Sequence, residues 1–159
     1  MLPFTRILCP TDFSEPSYAA LKDAAELAGH FSAELLVIHV LPPVPVPYPY
    51  PEPQVYSSFD VALYQQEMTL FSQNTLKEVV AQKVSPPVRP LTTVVTGDAA
   101  QEIIRLAEQE QVDLIVIATH GQSGWRHFVF GSVAEKVVRL APCPVLTIHA
   151  PREEKKSPD

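Results

Sequence analysis

The residues best suited to chemistry lie between Ala118 and Ser132. The apolar run Leu114-Ile-Val-Ile-Ala118 leads into Thr119, His120 and Gly121, and after a nine-residue gap Gly131-Ser132 opens a helix. Glycine is scarce, five in 159 residues, yet Gly121, Gly124 and Gly131 fall within eleven positions. A helix N-terminus offers unpaired N–H groups and a partial positive charge, and neighbouring glycines let a phosphate approach the backbone with no Cβ in the way. The pattern is therefore suited to holding phosphate. It is not a Walker A loop, because no Lys follows a glycine before Ser132, and it is not a G-x-G-x-x-G dinucleotide turn. A plainer reading stands beside it: Ser132 and Glu135 form an S-x-x-E capping box, and Gly121 and Gly131 serve loop geometry. Spacing alone does not choose between the two.

Other chemistries lack their residues. Gly121-Gln-Ser-Gly124 is not the G-x-S-x-G elbow of a serine hydrolase. His30, His39, His120, His127 and His149 are scattered, with no H-E-x-x-H and no helical i, i+4 pair, so a metal enzyme is not expected. Cys9 and Cys143 sit among apolar residues and prolines and read as buried thiols in a reducing compartment. A net charge of -6 and a pI near 5.3 argue against a protein that grips nucleic acid through its phosphate backbone. No window reaches the roughly 20 apolar residues of a membrane span, so a cytoplasmic protein is expected, bound to neither nucleic acid nor membrane.

The elements that must position these residues alternate between buried strand and amphipathic helix. Ile7, Leu8 and Cys9 make a first strand, from Arg6 to Cys9, stopped by Pro10. Ser14 is the expected N-cap of a helix with Glu15 and Pro16 in its first turn, ending near Gly29. Leu35–Leu41 is a second strand. Val61, Tyr64, Met68, Phe71, Thr75 and Val79 recur at helical spacing and predict the buried face of a long helix. Leu91–Thr96 is a third strand ended by Gly97, and Asp98 with Gln101 imitates a capping box before Ile103 and Ile104. Leu114–Ala118 and Val145–Ile148 are the fourth and fifth strands. Seven prolines between positions 42 and 53 mark an extended loop, and 151–159 is a polar tail, leaving one domain over 1–150.

Alternating helices and continuously apolar strands define an α/β, doubly wound domain, a five-stranded parallel sheet with helices on both faces. Ligands in such Rossmann-like sheets bind beyond the carboxyl ends of the strands. The residues there are Pro10, Thr11 and Asp12 after strand one, Val40 and Leu41 after strand two, and Thr119, His120 and Gly121 after strand four. Fold alone leaves an FMN carrier open.

Pro10-Thr-Asp-Phe-Ser14, His39-Val40, Gly97, the segment Ala118–Ser132 with Val133-Ala-Glu135, and Ala141-Pro-Cys-Pro-Val145 together resemble the universal stress protein family, over Thr5 to about His149. The resemblance implies a sheet ordered 3-2-1-4-5 and a family divided into members that bind ATP and members that do not. ATP binders carry G-x-x-G, nine residues, G-[ST]. Here His120-Gly121, the gap and Gly131-Ser132 match, while Ala118 replaces the first glycine, and its methyl is expected to weaken or displace binding. Carried over, Asp12 and Val40 contact adenine with Pro10 and Thr11 beside them. Ile117 and Ala118 line the ribose, and His120 converges with Asp12 on the crevice. Gly121, Gly131, Ser132 and Val133 hold phosphates, mainly through backbone N–H.

Each assignment has a plainer rival. Asp12 can accept hydrogen bonds from the turn before Ser14, and His120 can brace its own loop. Arg126 and His127 are at least as well explained as solvated, and Trp125, Phe128 and Phe130 as anchors for the loop. The expectation is a stress-response regulator that binds ATP, or AMP or ADP, with Mg2+ held through the phosphates. It acts as a switch or interaction module toward a signalling partner, with hydrolysis slow or absent. The alternative is an interaction module of the same family without nucleotide. In the implied strand order, Val145, Leu146, Thr147 and Ile148 form an apolar edge with no Lys or mid-strand proline, and a homodimer through it is expected.

Overall fold

The computed structural model describes residues 2–44, 60–119 and 131–149. The chain order is β1 (Arg6–Pro10), α1 (Glu15–Phe31), β2 (Glu34–Leu41), α2 (Val61–Lys83), β3 (Leu91–Thr96), α3 (Ala99–Gln109), β4 (Leu114–Ala118), α4 (Ser132–Leu140) and β5 (Val145–Ile148). All neighbouring strands are parallel, and the sheet runs β3-β2-β1-β4-β5. The α/β, doubly wound expectation and the strand order both hold.

Period-two alternation splits the core into two layers. Ile7 and Cys9, Leu35 and Val37, and Leu114, Val116 and Ala118 face α1 and α2, meeting Ala20, Leu21, Ala24, Leu76 and Val79. Leu8, Leu36, Ile38, Ile115 and Ile117 face α3 and α4, meeting Ala100, Ile103, Ala107, Ala134 and Val137. Both faces of the central strands are dry, which is why their sequences are apolar without interruption. At the amino ends of the strands, Asp113 accepts from the Thr5 N–H at 2.7 Å and hydroxyl at 2.8 Å, and Arg6 Nε donates to Glu34 at 2.7 Å. These contacts hold β1 in place between its neighbours at the end opposite Pro10.

Several local expectations change. β1 includes Pro10, whose missing N–H is harmless at the last position of the strand. α1 passes Gly29 and ends at Phe31, capped by Ser32 in the left-handed region at φ 54° with Ala28 and Gly29 carbonyls as acceptors. The face expected on α2 is wrong over much of its length. Ser72, Leu76 and Val79 are buried, whereas Phe71 is 64% and Tyr64 41% exposed. Cys9 is fully buried, but Cys143 is only partly so, because it packs at the margin of the α3/α4 layer beside the edge strand. Most of the proline loop and the whole tail from 151 lie outside the described residues.

Candidate functional site

Strand β1 has β2 on one side and β4 on the other, so the connections leaving β1 and β4 turn to opposite faces of the sheet. Beyond their ends is a cleft of about 320 Å³. Pro10, Thr11 and Asp12 line it from β1 and its loop, Val40 from β2, Ile117 and Ala118 from β4, and Gly131, Ser132 and Val133 from the start of α4. Nine of the eleven residues expected from the sequence thus share one cavity. His120 and Gly121 lie outside the described residues, as do Trp125, Arg126, His127, Phe128 and Phe130.

The loop between β1 and α1 is held in an uncommon conformation. Phe13 has φ 64°, a region that costs a bulky side chain on the order of 1–3 kcal/mol. Three contacts hold it there. The Phe13 N–H donates to Thr11 Oγ1 at 3.2 Å, and its ring stacks on His39 at 4.1 Å between centroids. His39 Nδ1 lies 2.9 Å from the Thr11 carbonyl, which can only accept, so the proton sits on Nδ1. Asp12 fulfils the plainer reading as well as lining the cleft: its Oδ1 accepts from the Ser14 N–H at 3.1 Å and from the Ser14 hydroxyl.

Peptide groups of β2 complete that end. The Ile38 carbonyl accepts from the Thr11 N–H, and the Leu41 carbonyl from the Gly97 N–H, both at 2.9 Å. Peptide groups alternate sides along a strand, so Val40 directs its N–H and C=O, like Ile38, toward β1. Because β1 stops at Pro10, those groups of Val40 face the cleft beyond the strand end.

At the other end, α4 starts differently from its fellows. Ser14, Asp60 and Asp98 cap α1, α2 and α3 with side-chain hydrogen bonds. The N-cap of α4 is Gly131, not Ser132, and no side chain among the described residues caps it. The expected Ser132–Glu135 box is therefore not formed: Ser132 is already the first helical residue, too far along to return to the N3 amide. The Gly131 N–H donates to the Thr119 carbonyl at 2.6 Å, and the Thr119 N–H donates to Ile148 at 3.0 Å, which fixes the helix start against the ends of β4 and β5. Gly131, Ser132, Val133 and Ala134 line the cleft, so the positive end of the α4 dipole lies on its wall.

Ala118 is 8% exposed and shares the parity of Leu114 and Val116, so its methyl packs in the α1/α2 layer while the residue borders the cavity. Nearby, Lys136 of α4 donates to Asp98 Oδ1 at 3.1 Å, joining the starts of α3 and α4. The Gln101 amide first, and Lys136 next, hold the Asp98 carboxyl below the usual carboxylate range. On β1, burial pushes the Cys9 thiol up to about 12. Asp12 is the one ionisable side chain among the described lining residues, and those residues gather no metal-binding group of three or more His, Cys, Asp or Glu.

Thr119, placed by the sequence just after the fourth strand, lines the cleft as well, whereas Ser17, Ile38, Ala99, Ile103 and Ala134 were missed. Ser17 left a readable trace, a small polar residue three positions after an N-cap serine. The others are apolar and carry no chemical mark.

The chain is thus a doubly wound α/β domain with a cleft at its reversal point and, on one wall, a helix start that no side chain among the described residues caps. The model of the universal stress protein family matches residues 3–149, and the chain belongs to that family. It is 33% identical to universal stress protein MJ0531 of Methanocaldococcus jannaschii over 153 residues, spanning 95% of this chain and 85% of that one. The solved structure of MJ0577, from the same organism, superposes with a TM-score of 0.78 at 25% identity, covering 94% of this chain and 99% of the other. The fold is also that of a universal stress protein from Archaeoglobus fulgidus solved in complex with dAMP, with a TM-score of 0.54, 19% identity, and 93% and 99% coverage. No helix among the described residues is long and apolar enough to cross a membrane.

Proposed function

We propose that the protein binds an adenine nucleotide in this cleft and acts in stress response as a nucleotide-dependent switch or interaction module. ATP with Mg2+ is the assigned ligand, and ADP and AMP belong to the same class. The observation that carries the reading is the pairing of two backbone features on one cavity. The start of α4 at Gly131, Ser132 and Val133, which no side chain among the described residues caps, suits phosphate. The peptide edge of Val40, a donor beside an acceptor, suits the N1 acceptor and N6 donor of adenine. The cavity volume lies at the lower end of the range for small-molecule sites. The dAMP bound by the Archaeoglobus family member supports the same ligand class.

Asp12 and Thr11, with Pro10, serve the base, and Ile117 and Ala118 the ribose. His120 converges with Asp12 on the crevice, and Gly121, in the motif between β4 and α4, serves the phosphates. Burial of the Ala118 methyl in the α1/α2 layer favours a cleft that remains open despite the missing glycine. Mg2+ comes with the phosphates. Hydrolysis is slow or absent, since Asp12 belongs to the β1–α1 loop and phosphoryl transfer needs concentrated positive charge and a positioned water. Isothermal titration with MgATP tests the reading. Binding with a Kd at or below the millimolar range is expected, and no heat and no thermal stabilisation at millimolar ATP would leave the interaction module without nucleotide.

A further inference from the structure

We propose that Ser17 sharpens which purines the cleft accepts, by fixing the direction of the hydroxyl protons of Thr11 and Ser17 on the wall formed by the β1–α1 loop. The inference rests on the nucleotide reading and deepens it. Thr11 and Ser17 are 5% and 4% exposed, both line the cleft, and their hydroxyl oxygens are 2.9 Å apart. Either oxygen could donate in that contact taken alone. The neighbours decide it. Ser17 Oγ lies 2.8 Å from the Ser14 carbonyl, which can only accept, so the single Ser17 proton is used there. The proton between the two hydroxyls must then come from Thr11.

Neighbouring hydrogens are committed in the same sense. The Phe13 N–H donates to Thr11 Oγ1, and the Ser14 N–H and hydroxyl donate to Asp12 Oδ1. The Thr11 N–H goes to the Ile38 carbonyl, and the Thr11 carbonyl receives His39 Nδ1–H. Neither Thr11 nor Ser17 therefore has a hydroxyl proton left for a ligand, and the Asp12 side chain, a carboxylate, can only accept. A 6-aminopurine brings N–H groups to such a wall. A 6-oxopurine brings a carbonyl oxygen that this wall cannot satisfy, and a buried acceptor left without a donor weakens binding on the order of tenfold or more. Removing the Ser17 hydroxyl releases the Thr11 proton, and the Thr11 O–H becomes a donor available to the ligand.

The test compares MgATP with magnesium inosine triphosphate, which carries the 6-oxo group on the same ribose and phosphates, by titration calorimetry on the full chain. The unmodified protein is expected to prefer ATP about tenfold or more. In Ser17→Ala the preference should shrink about three- to tenfold, because inosine triphosphate gains affinity. Ser17→Thr, which keeps the hydroxyl, should retain the original ratio, and adding Thr11→Val to Ser17→Ala should restore it. A purely structural Ser17 would weaken both nucleotides together and leave the ratio unchanged, which would overturn the proposal. If Ser17→Ala does not give a cooperative thermal melt, Thr11→Val alone decides: an unchanged ratio supports the relay, and selective loss of the inosine nucleotide overturns it. ATP binding with no preference in the unmodified protein sinks this inference alone, whereas no binding of either nucleotide sinks the nucleotide reading with it.

Discussion

The two thiols differ through their surroundings. Cys9 is enclosed on β1 with its pKa pushed up to about 12 by burial, and the nearby Asp23 charge adds to the rise. Cys143 is raised less and is only partly buried. Thiolate is the reactive form, so Ellman's reagent at pH 8 is expected to modify one thiol, Cys143, in the native protein and both in denaturant. The Cys9 pKa is higher in the folded chain than its ordinary value of 9.0. Its contribution to stability is thus complete below pH 9 and declines as pH rises toward 12. Urea midpoints across that alkaline window should fall less steeply for Cys9→Ala. At the same scale, Gly131 occupies φ −73° and ψ 155°, which any residue adopts. Gly131→Val therefore probes space at the start of α4 without backbone strain, and loss of ATP binding with an unchanged thermal melt is the expected outcome of calorimetry.

Among the elements, α2 shows how packing overrides periodicity. Phe71 is 64% exposed and Leu76 1%. Leu76→Ala is expected to cost about 2–5 kcal/mol in urea unfolding, and Phe71→Ala to stay within about 0.5 kcal/mol. Equal losses would show that the assigned buried face is wrong. Ser14 is the residue in which an element and the site meet, since it caps α1 and holds Asp12. Ser14→Ala should lower stability by about 1 kcal/mol and weaken ATP binding as well, whereas a cap without influence on the cleft would change only the melt.

For the whole molecule, β5 is an edge of the sheet, and Leu146 on it is 39% exposed with Val138 and Leu140 of α4 also exposed. We propose that a second copy covers this edge through Val145–Ile148, in an antiparallel two-fold contact. Light scattering should report a dimer for the unmodified protein and a soluble monomer for Leu146→Lys. A dimer indifferent to that substitution places the contact elsewhere. Turnover should be negligible, and steady multiple-turnover phosphate release that disappears in Gly131→Val would contradict the switch reading.

What the sequence determined by itself was the alternation of elements, the bounds of β3, β4 and β5, and the places where strands end. The reason is physical: strands dry on both faces must be apolar throughout, and their ends are marked by Pro10, Gly97 and Thr119. Strand ends in a parallel sheet also say where a cleft opens, which is why Thr11, Asp12 and Val40 could be named as lining it, while Gly131 was marked by the glycine pattern ahead of a helix. Helix faces were less legible. The row of Tyr64 and Phe71 has the right spacing on α2, but only the placement of that helix over β2 and β3 turned Ser72 and Leu76 inward. Ser132 looked like a cap because of Glu135, and the bond from Gly131 to Thr119 moved the helix start by one residue. Above all, tertiary structure decided the direction of protons. No spacing tells that Thr11 donates to Ser17, because a hydroxyl gives its hydrogen wherever its neighbours can only accept, and those neighbours are brought together by the turn at Phe13.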